Sequence, residues 1–284
     1  MKILLMKLIT LTFITPFSIG EKENYVDAIT LYRAFIKALS LLGEPFDDIL
    51  EGKVKFSSAF PVYKEKLFLR MPYRTIKCED RAKEKQLRKI GYLNSEVLEK
   101  IPPPYTIECR KDGDYIVGKD GEMMLGKESY LVSYGDFIVD YKNRMDRLNN
   151  SADIYSISAF IPHTDVGFLA TSWDNRLERA LKLLEKLGIG KDRNLGYGKF
   201  KVKGVKDFDI KVAGNEYKYA TGRVYTEGEF LAERFDRLQI IGGDSDVVLH
   251  SLLVLLPVGS LVKEVKRLKI EKGNNVVIVD PVVI

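Results

Sequence analysis

Residues 188 to 200 read Gly-Ile-Gly-Lys-Asp-Arg-Asn-Leu-Gly-Tyr-Gly-Lys-Phe, placing four glycines, three basic residues and one Tyr between a helix-patterned segment and a strand-patterned one. Glycine takes positive φ and lets another backbone come close. A loop this rich in it, flanked by cations, suits a nest of N–H groups around an anion. A helix C-cap followed by a tight turn explains Gly188 equally well, but it does not account for Gly190, Gly196 and Gly198 together. The loop's place in the chain excludes two common phosphate loops. A dinucleotide fingerprint follows a strand and opens a helix, whereas this loop follows a helix and opens a strand. A Walker loop ends in Gly-Lys-Ser/Thr, and here Lys199 is followed by Phe200. Nucleotide hydrolysis is therefore not expected.

The charge pattern sharpens this. Between Lys182 and Lys206 there are eight basic residues against Glu185 and Asp192, while the whole 284-residue chain carries a net charge of only +5. The positive field is concentrated as a polyanion site requires; the plainer reading is a solvated lysine-rich face. The two cysteines, Cys78 and Cys109, show neither metal spacing nor a disulfide framework, which fits a reducing cytoplasm. Met1 to Thr15 is apolar, but Lys7 interrupts it and it is too short to span a bilayer. A buried strand over Leu4–Thr15 is expected instead, and no membrane association.

Asp27 to Leu42 has Ala28, Leu31, Tyr32, Phe35, Leu39 and Leu42 on one helical face, with Asp27 placed to cap the start and Gly43 to close the end. Residues 56–72 read as two short extended pieces. Arg81 to Lys100 is highly charged with weak helical patterning, and Ile101-Pro-Pro-Pro-Tyr105 stops any helix. Residues 106–140 read as one or two projecting hairpins. Asp153–Pro162 and Asp165–Ser172 look like strands paired with each other around Pro162-His163-Thr164. A second helix over Asp174–Leu187 carries the stripe Leu177, Ala180, Leu181, Leu184, Leu187. After the loop, a strand runs from about Lys199 to Val205. This order predicts an α+β fold: a ferredoxin-like, RNA-recognition-like module over 1–205 with a hairpin insertion near 106–140, and a second, smaller, divergent β-rich ferredoxin-like module over 206–284.

Several landmarks, in order along nearly the whole chain, resemble one family. Thr15-Pro-Phe-Ser-Ile-Gly20, Asp27-Ala-Ile-Thr-Leu-Tyr-Arg-Ala34, Ser57-Ser-Ala-Phe-Pro61, Leu69-Arg-Met-Pro72, Asn143-Arg-Met-Asp-Arg147, the glycine loop and Gly222-Arg-Val-Tyr225 are similar to motifs of the RAMP superfamily of CRISPR-associated proteins. They are most like the fourth subunit of the Csm (type III-A) interference complex. Arg70 stands where that family often has Pro, and Asn194-Leu195 where it often has two small residues. The resemblance implies a non-catalytic subunit that holds the 5′ handle of CRISPR RNA and touches target RNA indirectly. It also implies contacts with the large signalling subunit and the first backbone subunit, and a projecting hairpin, within 111–140, that wedges beside the first guide–target pairs. No cofactor or metal is called for.

Gly190, Gly196 and Gly198 would let the backbone approach phosphates, while Lys191, Arg193 and Lys199 supply charge. Asn194 completes the loop set. Tyr197 would stack on a base, or else pack in the core or on an edge strand. Asn143, Arg144 and Arg147 form a second clamp through guanidinium geometry, or the two arginines pair with Asp140 or Asp146. The alternative is a metal-independent endoribonuclease. For that reading His163 and His250 are the available histidines, His163 in a turn and His250 in an apolar run, and neither has an evident catalytic partner.

Overall fold

Strand β1 (Lys2–Phe13) runs through the middle of the main sheet because its apolar residues do not alternate: Leu8, Ile9 and Leu11 are all fully buried, as a strand covered on both faces requires. In the computed structural model, which describes residues 2–19, 23–146, 151–212, 216–242, 249–272 and 275–284, helix α1 (Ala28–Leu42) follows, then the short helix α2 (Asp47–Leu50) and strand β2 (Phe60–Tyr63). Much later come β12 (Asp165–Ala170), α5 (Asn175–Leu187) and β13 (Phe200–Val212). These strands lie in the order β13-β1-β12-β2, every neighbouring pair antiparallel. That is the ferredoxin-like arrangement expected for the first part of the chain.

The helices end as their residues dictate. Gly43 closes α1 in the left-handed region, at φ 68°, its N–H bonded to the Ser40 carbonyl. Asp174 caps α5 by accepting from the Leu177 N–H at 2.9 Å. Asp27 does not cap α1 with its side chain. Ser58 does that work instead, its Oγ accepting from the Ala28 N–H at 3.1 Å and donating to Asp27 Oδ1. The buried Asp27 carboxylate is held by Arg223, 3.0 Å away, so a tertiary partner has overridden the local cap.

Between β2 and β12 the chain makes a long excursion. β3 (Lys66–Arg70), β5 (Tyr92–Asn94) and β9 (Tyr130–Leu131) extend the main sheet beyond β2. β4 (Arg74–Lys77), β6 (Tyr105–Cys109), β7 (Asp114–Val117) and β8 (Glu122–Met124) form a separate sheet. The charged stretch between β4 and β6 holds α3 (Arg81–Arg88) and α4 (Ser95–Lys100). β4 and β6 are parallel neighbours with Lys77 opposite Glu108, which sets Cys78 beside Cys109. The two cysteines form a disulfide, correcting the expectation of no disulfide framework. Pairing of strands distant in sequence makes the bond, and the 31-residue spacing alone does not reveal it.

The longest hairpin is not where the sequence placed it. β10 (Gly135–Asp146) and β11 (Ser151–Pro162) are twelve residues each and form a two-stranded sheet, with one further antiparallel bridge from Phe160 to Phe17. β11 does not pair with β12, as expected from the turn at His163, because both edges of β12 are already taken by β1 and β2. At about 3.4 Å per residue the hairpin is roughly 40 Å long.

The C-terminal residues form β14 (Lys218–Tyr219), β15 (Phe230–Leu231) and β18 (Leu261–Val262) in one sheet. The pairs β16 (Asp236–Gly242) with β17 (Leu249–Leu255) and β19 (Leu268–Lys272) with β20 (Asn275–Val279) make two ribbons. Among the described residues this part holds no α-helix, so the helix-covered sheet of a second ferredoxin-like module is not formed there. Its buried residues Tyr219, Leu261, Ile278 and Val282 join the same hydrophobic core as Leu8 and Phe35. Tyr32 Oη donates to the Asp280 carbonyl at 2.7 Å across that seam.

Candidate nucleic-acid interface

The glycine loop is anchored at both ends by its own chain. Ile189 N–H bonds the Gly198 carbonyl at 2.9 Å, Lys191 N–H the Ser18 carbonyl at 2.6 Å, and Gly198 N–H the Pro16 carbonyl at 2.8 Å. Thr15 Oγ1 accepts from Lys199 N–H and donates to the Gly196 carbonyl. The turn Thr15–Ile19 and the glycine loop, far apart in sequence, are therefore one unit.

These anchors change the reading of the glycines. A Cβ on Gly198 would lie 1.9 Å from the Ile189 carbonyl oxygen, and one on Gly190 would lie 2.5 Å from that of Ser18. Both positions also have positive φ. Their lack of a side chain is explained by the chain's own backbone rather than by approach of a phosphate. Gly196 is different: its φ is 94° and a Cβ there would meet nothing within 4 Å. It sits in the exposed turn after the 3-10 segment Arg193–Leu195, with Lys191 and Asn194 also exposed and Arg193 half-buried.

The basic run divides into committed and free charges. Lys182 pairs with Glu178 at 3.2 Å and Lys203 with Asp165 at 2.5 Å. Lys199 Nζ bonds the Lys186 carbonyl near the end of α5, and Lys206 Nζ that of Glu65. Among the described residues, Lys191 and Arg193 have no carboxylate partner. Lys186 and Lys201 likewise have none among the described residues, so part of the free positive charge lies at the exposed end of the loop.

Tyr197 is 6% exposed and packs with Ile138, Ile157 and Ala159 of the hairpin. Its hydroxyl donates to Asp140 Oδ2 at 2.5 Å. The ring is buried against the hairpin and not offered to a base. It joins loop to hairpin, which corrects the stacking expectation. Burial, and then the Asp140 carboxylate, push the hydroxyl up to about 12. Lys142, 2.7 Å from the same Oδ2, and then Tyr197 hold the Asp140 carboxyl below its ordinary value.

Asp140 and Lys142 therefore set the loop against the middle of β10–β11. The sequence reading took Asp140 only as a partner for Arg144 or Arg147 and did not single out Lys142, although both share one face with Ile138 in the two-residue alternation of a strand. Asn143 is exposed, opposite Ile154 in the register, and Arg144 is opposite Asp153. Arg147 lies outside the described residues. The other face of the hairpin exposes Phe137, Val139, Tyr141 and Ile154. His163 is exposed, with Nε2 3.3 Å from Asp136 Oδ2, and His250 lies in β17. Among the described residues no group of three His, Cys, Asp or Glu side chains could hold a metal ion, and no helix is long and apolar enough to cross a membrane.

An antiparallel β13-β1-β12-β2 sheet with a glycine loop leading into its edge strand has the ferredoxin-like strand order. No protein-family model matches the chain, and no curated protein matches it by sequence. Solved structures do match. A chain of the Csm1–Csm4 cassette in complex with cA4 superposes with a TM-score of 0.56 at 17% identity, covering 98% of this chain and 95% of that one. A chain of the Csm3–Csm4 subcomplex of the type III-A CRISPR-Cas interference complex gives 0.55 at 14% identity, covering 98% of each. The type III-B Cmr-beta complex bound to cognate target RNA supplies a chain at 0.50 and 11% identity, over 90% of this chain and 86% of that one. Csm4 is the component common to the two Csm assemblies, and the fold of this chain is Csm4-like.

Proposed function

We infer that the chain is a non-catalytic RNA-binding subunit of a type III-A CRISPR interference complex. It grips the 5′ handle of CRISPR RNA between the exposed end of the glycine loop and the middle of the β10–β11 hairpin. The observation that carries this reading is the Tyr197–Asp140 bond, which fastens the loop to the hairpin while Lys191 and Arg193, beside the open position at Gly196, have no carboxylate partner among the described residues. Unpaired cations on a fixed backbone suit a sugar-phosphate strand.

The Csm1–Csm4 and Csm3–Csm4 assemblies support a bridging place, with a large signalling subunit on one side and a backbone subunit on the other. Target RNA is met indirectly: the apolar outer face of the hairpin, with Tyr141 72% exposed, is the wedge beside the first guide–target pairs. Asn143 and Arg144 of β10 extend the RNA path, Arg147 is a further RNA contact in this reading, and the complex works in the cytoplasm.

Handle RNA binding measured by fluorescence anisotropy across a salt series tests it. The Lys191→Ala/Arg193→Ala double variant should bind more weakly, with the log–log salt slope flatter by roughly 1.4, about 0.7 per lost single-strand phosphate contact. Unchanged affinity and slope would remove the loop from the site. Labelled repeat RNA in the same tubes decides the enzymatic alternative: cleavage that disappears in His163→Ala would replace this reading with an endoribonuclease.

A further inference from the structure

Away from the loop, the inserted β4–β8 sheet and the C-terminal strands meet at a cavity of about 500 Å³, lined by Tyr73, Arg74, Ile76, Arg88, Ala232 and Glu233. Arg74 is the unusual member. Its side chain is only 6% exposed, yet each bond it makes is long: Nη1 to the Pro72 carbonyl at 3.5 Å and to Glu233 Oε1 at 3.2 Å, Nη2 to the Arg88 carbonyl at 3.4 Å. Its Nε is buried with no partner. Charge-assisted bonds from a guanidinium ordinarily close to about 2.7–2.9 Å, and buried donors are ordinarily paired. The group is under-satisfied in the wall of a cavity with room for a small ligand.

The surrounding charges favour an anion. Arg88 stands in the same wall, bonded through Nε and Nη2 to Glu84. The charge of Arg70 also reaches Arg74, and Arg70 lies over the Tyr92 ring, 5.4 Å from its centroid, with no carboxylate partner among the described residues. Two guanidiniums, Arg74 and Arg88, thus line the cavity with the single carboxylate of Glu233, and Arg88 is itself paired with Glu84. Glu233 is 65% exposed, so its carboxylate returns to water at little cost. It is an internal stand-in that satisfies one nitrogen of Arg74 and leaves the guanidinium under-satisfied. A group with oxygens on several sides can take an Nη nitrogen of Arg74 and face Arg88 at the same time, which describes a phosphate better than a planar carboxylate.

We propose that this cavity binds the phosphate group of a small phosphorylated molecule, Arg74 gripping the oxygens and Tyr73, Ile76 and Ala232 receiving the apolar part. The site is separate from the RNA path and does not depend on it.

Titrations of the full chain with inorganic phosphate and with phenyl phosphate, followed by 31P line broadening, test the proposal. Both probes should bind, phenyl phosphate about tenfold more tightly through its ring. Arg74→Met should weaken both by at least about tenfold. Glu233→Gln, which removes the competing carboxylate and leaves Arg74 in place, should tighten both by about threefold. The Arg74→Met loss should be unchanged in a Lys191→Ala/Arg193→Ala background, which keeps this result independent of the RNA-binding reading. No broadening with wild type and Glu233→Gln, or equal binding by wild type and Arg74→Met, overturns the site. Equal affinity for the two probes overturns the apolar half of the proposal. Should Arg74→Met fail to fold, the direction of the Glu233→Gln change decides.

Discussion

Tyr197 and Asp140, 57 residues apart, share a 2.5 Å hydrogen bond that fastens the glycine loop to the middle of the longest hairpin. Ring and hydroxyl act together: the ring fills the gap over Ile157 and Ala159, and the hydroxyl reaches the carboxylate that Lys142 also holds. The loop's position is thereby set by a residue whose ring faces inward, not toward a ligand.

Tyr197→Phe keeps the packing and removes the bond. The variant should fold, with a melting temperature lower by on the order of 2–4 °C, and should bind handle RNA more weakly because the loop is no longer tied. The pH dependence follows by sign. A tyrosine raised to about 12 stabilises the fold fully below its unfolded value near 10, and that contribution is lost as pH rises towards 12. Asp140 is shifted downward, so its contribution is present above the unfolded value and fades as pH falls through the folded one. A pH series of melting temperatures should show the alkaline loss shrinking in Tyr197→Phe; an identical alkaline limb in both proteins would contradict the assignment.

The two classes of glycine should separate under one substitution. Gly198→Ala places a methyl against the Ile189 carbonyl at a φ of 71°, and should cost at least about 3 kcal/mol. Gly196→Ala meets open space and bears only the left-handed backbone strain, about 1–2 kcal/mol. Urea denaturation measures both. If RNA comes close to the backbone at Gly196, the second variant loses affinity by more than its small stability change explains.

Arg223 is the tie between the start of α1 and the C-terminal strands. Its guanidinium reaches Glu23, Asp27 at 3.0 Å and Asp236 at 3.0 Å, and Asp27 is almost fully buried. Arg223→Met leaves that carboxylate uncompensated and should cost about 3–5 kcal/mol in chemical denaturation. Adding Asp27→Asn to the same protein should recover part of the loss, since it removes the stranded charge. No recovery would mean that packing, not charge, dominates there.

The Cys78–Cys109 bridge closes a 31-residue separation between β4 and β6. Reduction, or Cys78→Ser with Cys109→Ser, should cost about 2–4 kcal/mol by the loop-entropy argument. The loss should be local to β4–β8: hydrogen exchange should rise there and leave β1 and β12 protected. Alkylation before and after reduction, read by mass spectrometry, checks the pairing itself.

Much of the core fold is legible in the sequence because its signals are local. The stripe Leu177, Ala180, Leu181, Leu184 marks α5, and the unbroken apolar run through Leu8 and Ile9 marks a strand covered on both faces. The β10–β11 hairpin is not legible in the same way. Asp140, Lys142 and Asn143 look like a polar connector until Ile157, Tyr155 and Ile154 are seen opposite them, and the alternation of Phe137, Val139 and Tyr141 then reads as a strand's solvent face.

By itself the sequence determined where the two amphipathic helices and the central strand form, that four glycines gather between Gly188 and Gly198, and that positive charge gathers beside them, because spacing, composition and backbone freedom are properties of neighbouring residues. Only the tertiary structure decided which glycines serve the chain's own carbonyls and which faces open space, that Tyr197 looks inward to Asp140, and that Ser58 rather than Asp27 caps α1. Each of those depends on which distant residue arrives within a few ångströms, and pairing between strands more than a hundred residues apart, such as β2 with β12, is what brings it there.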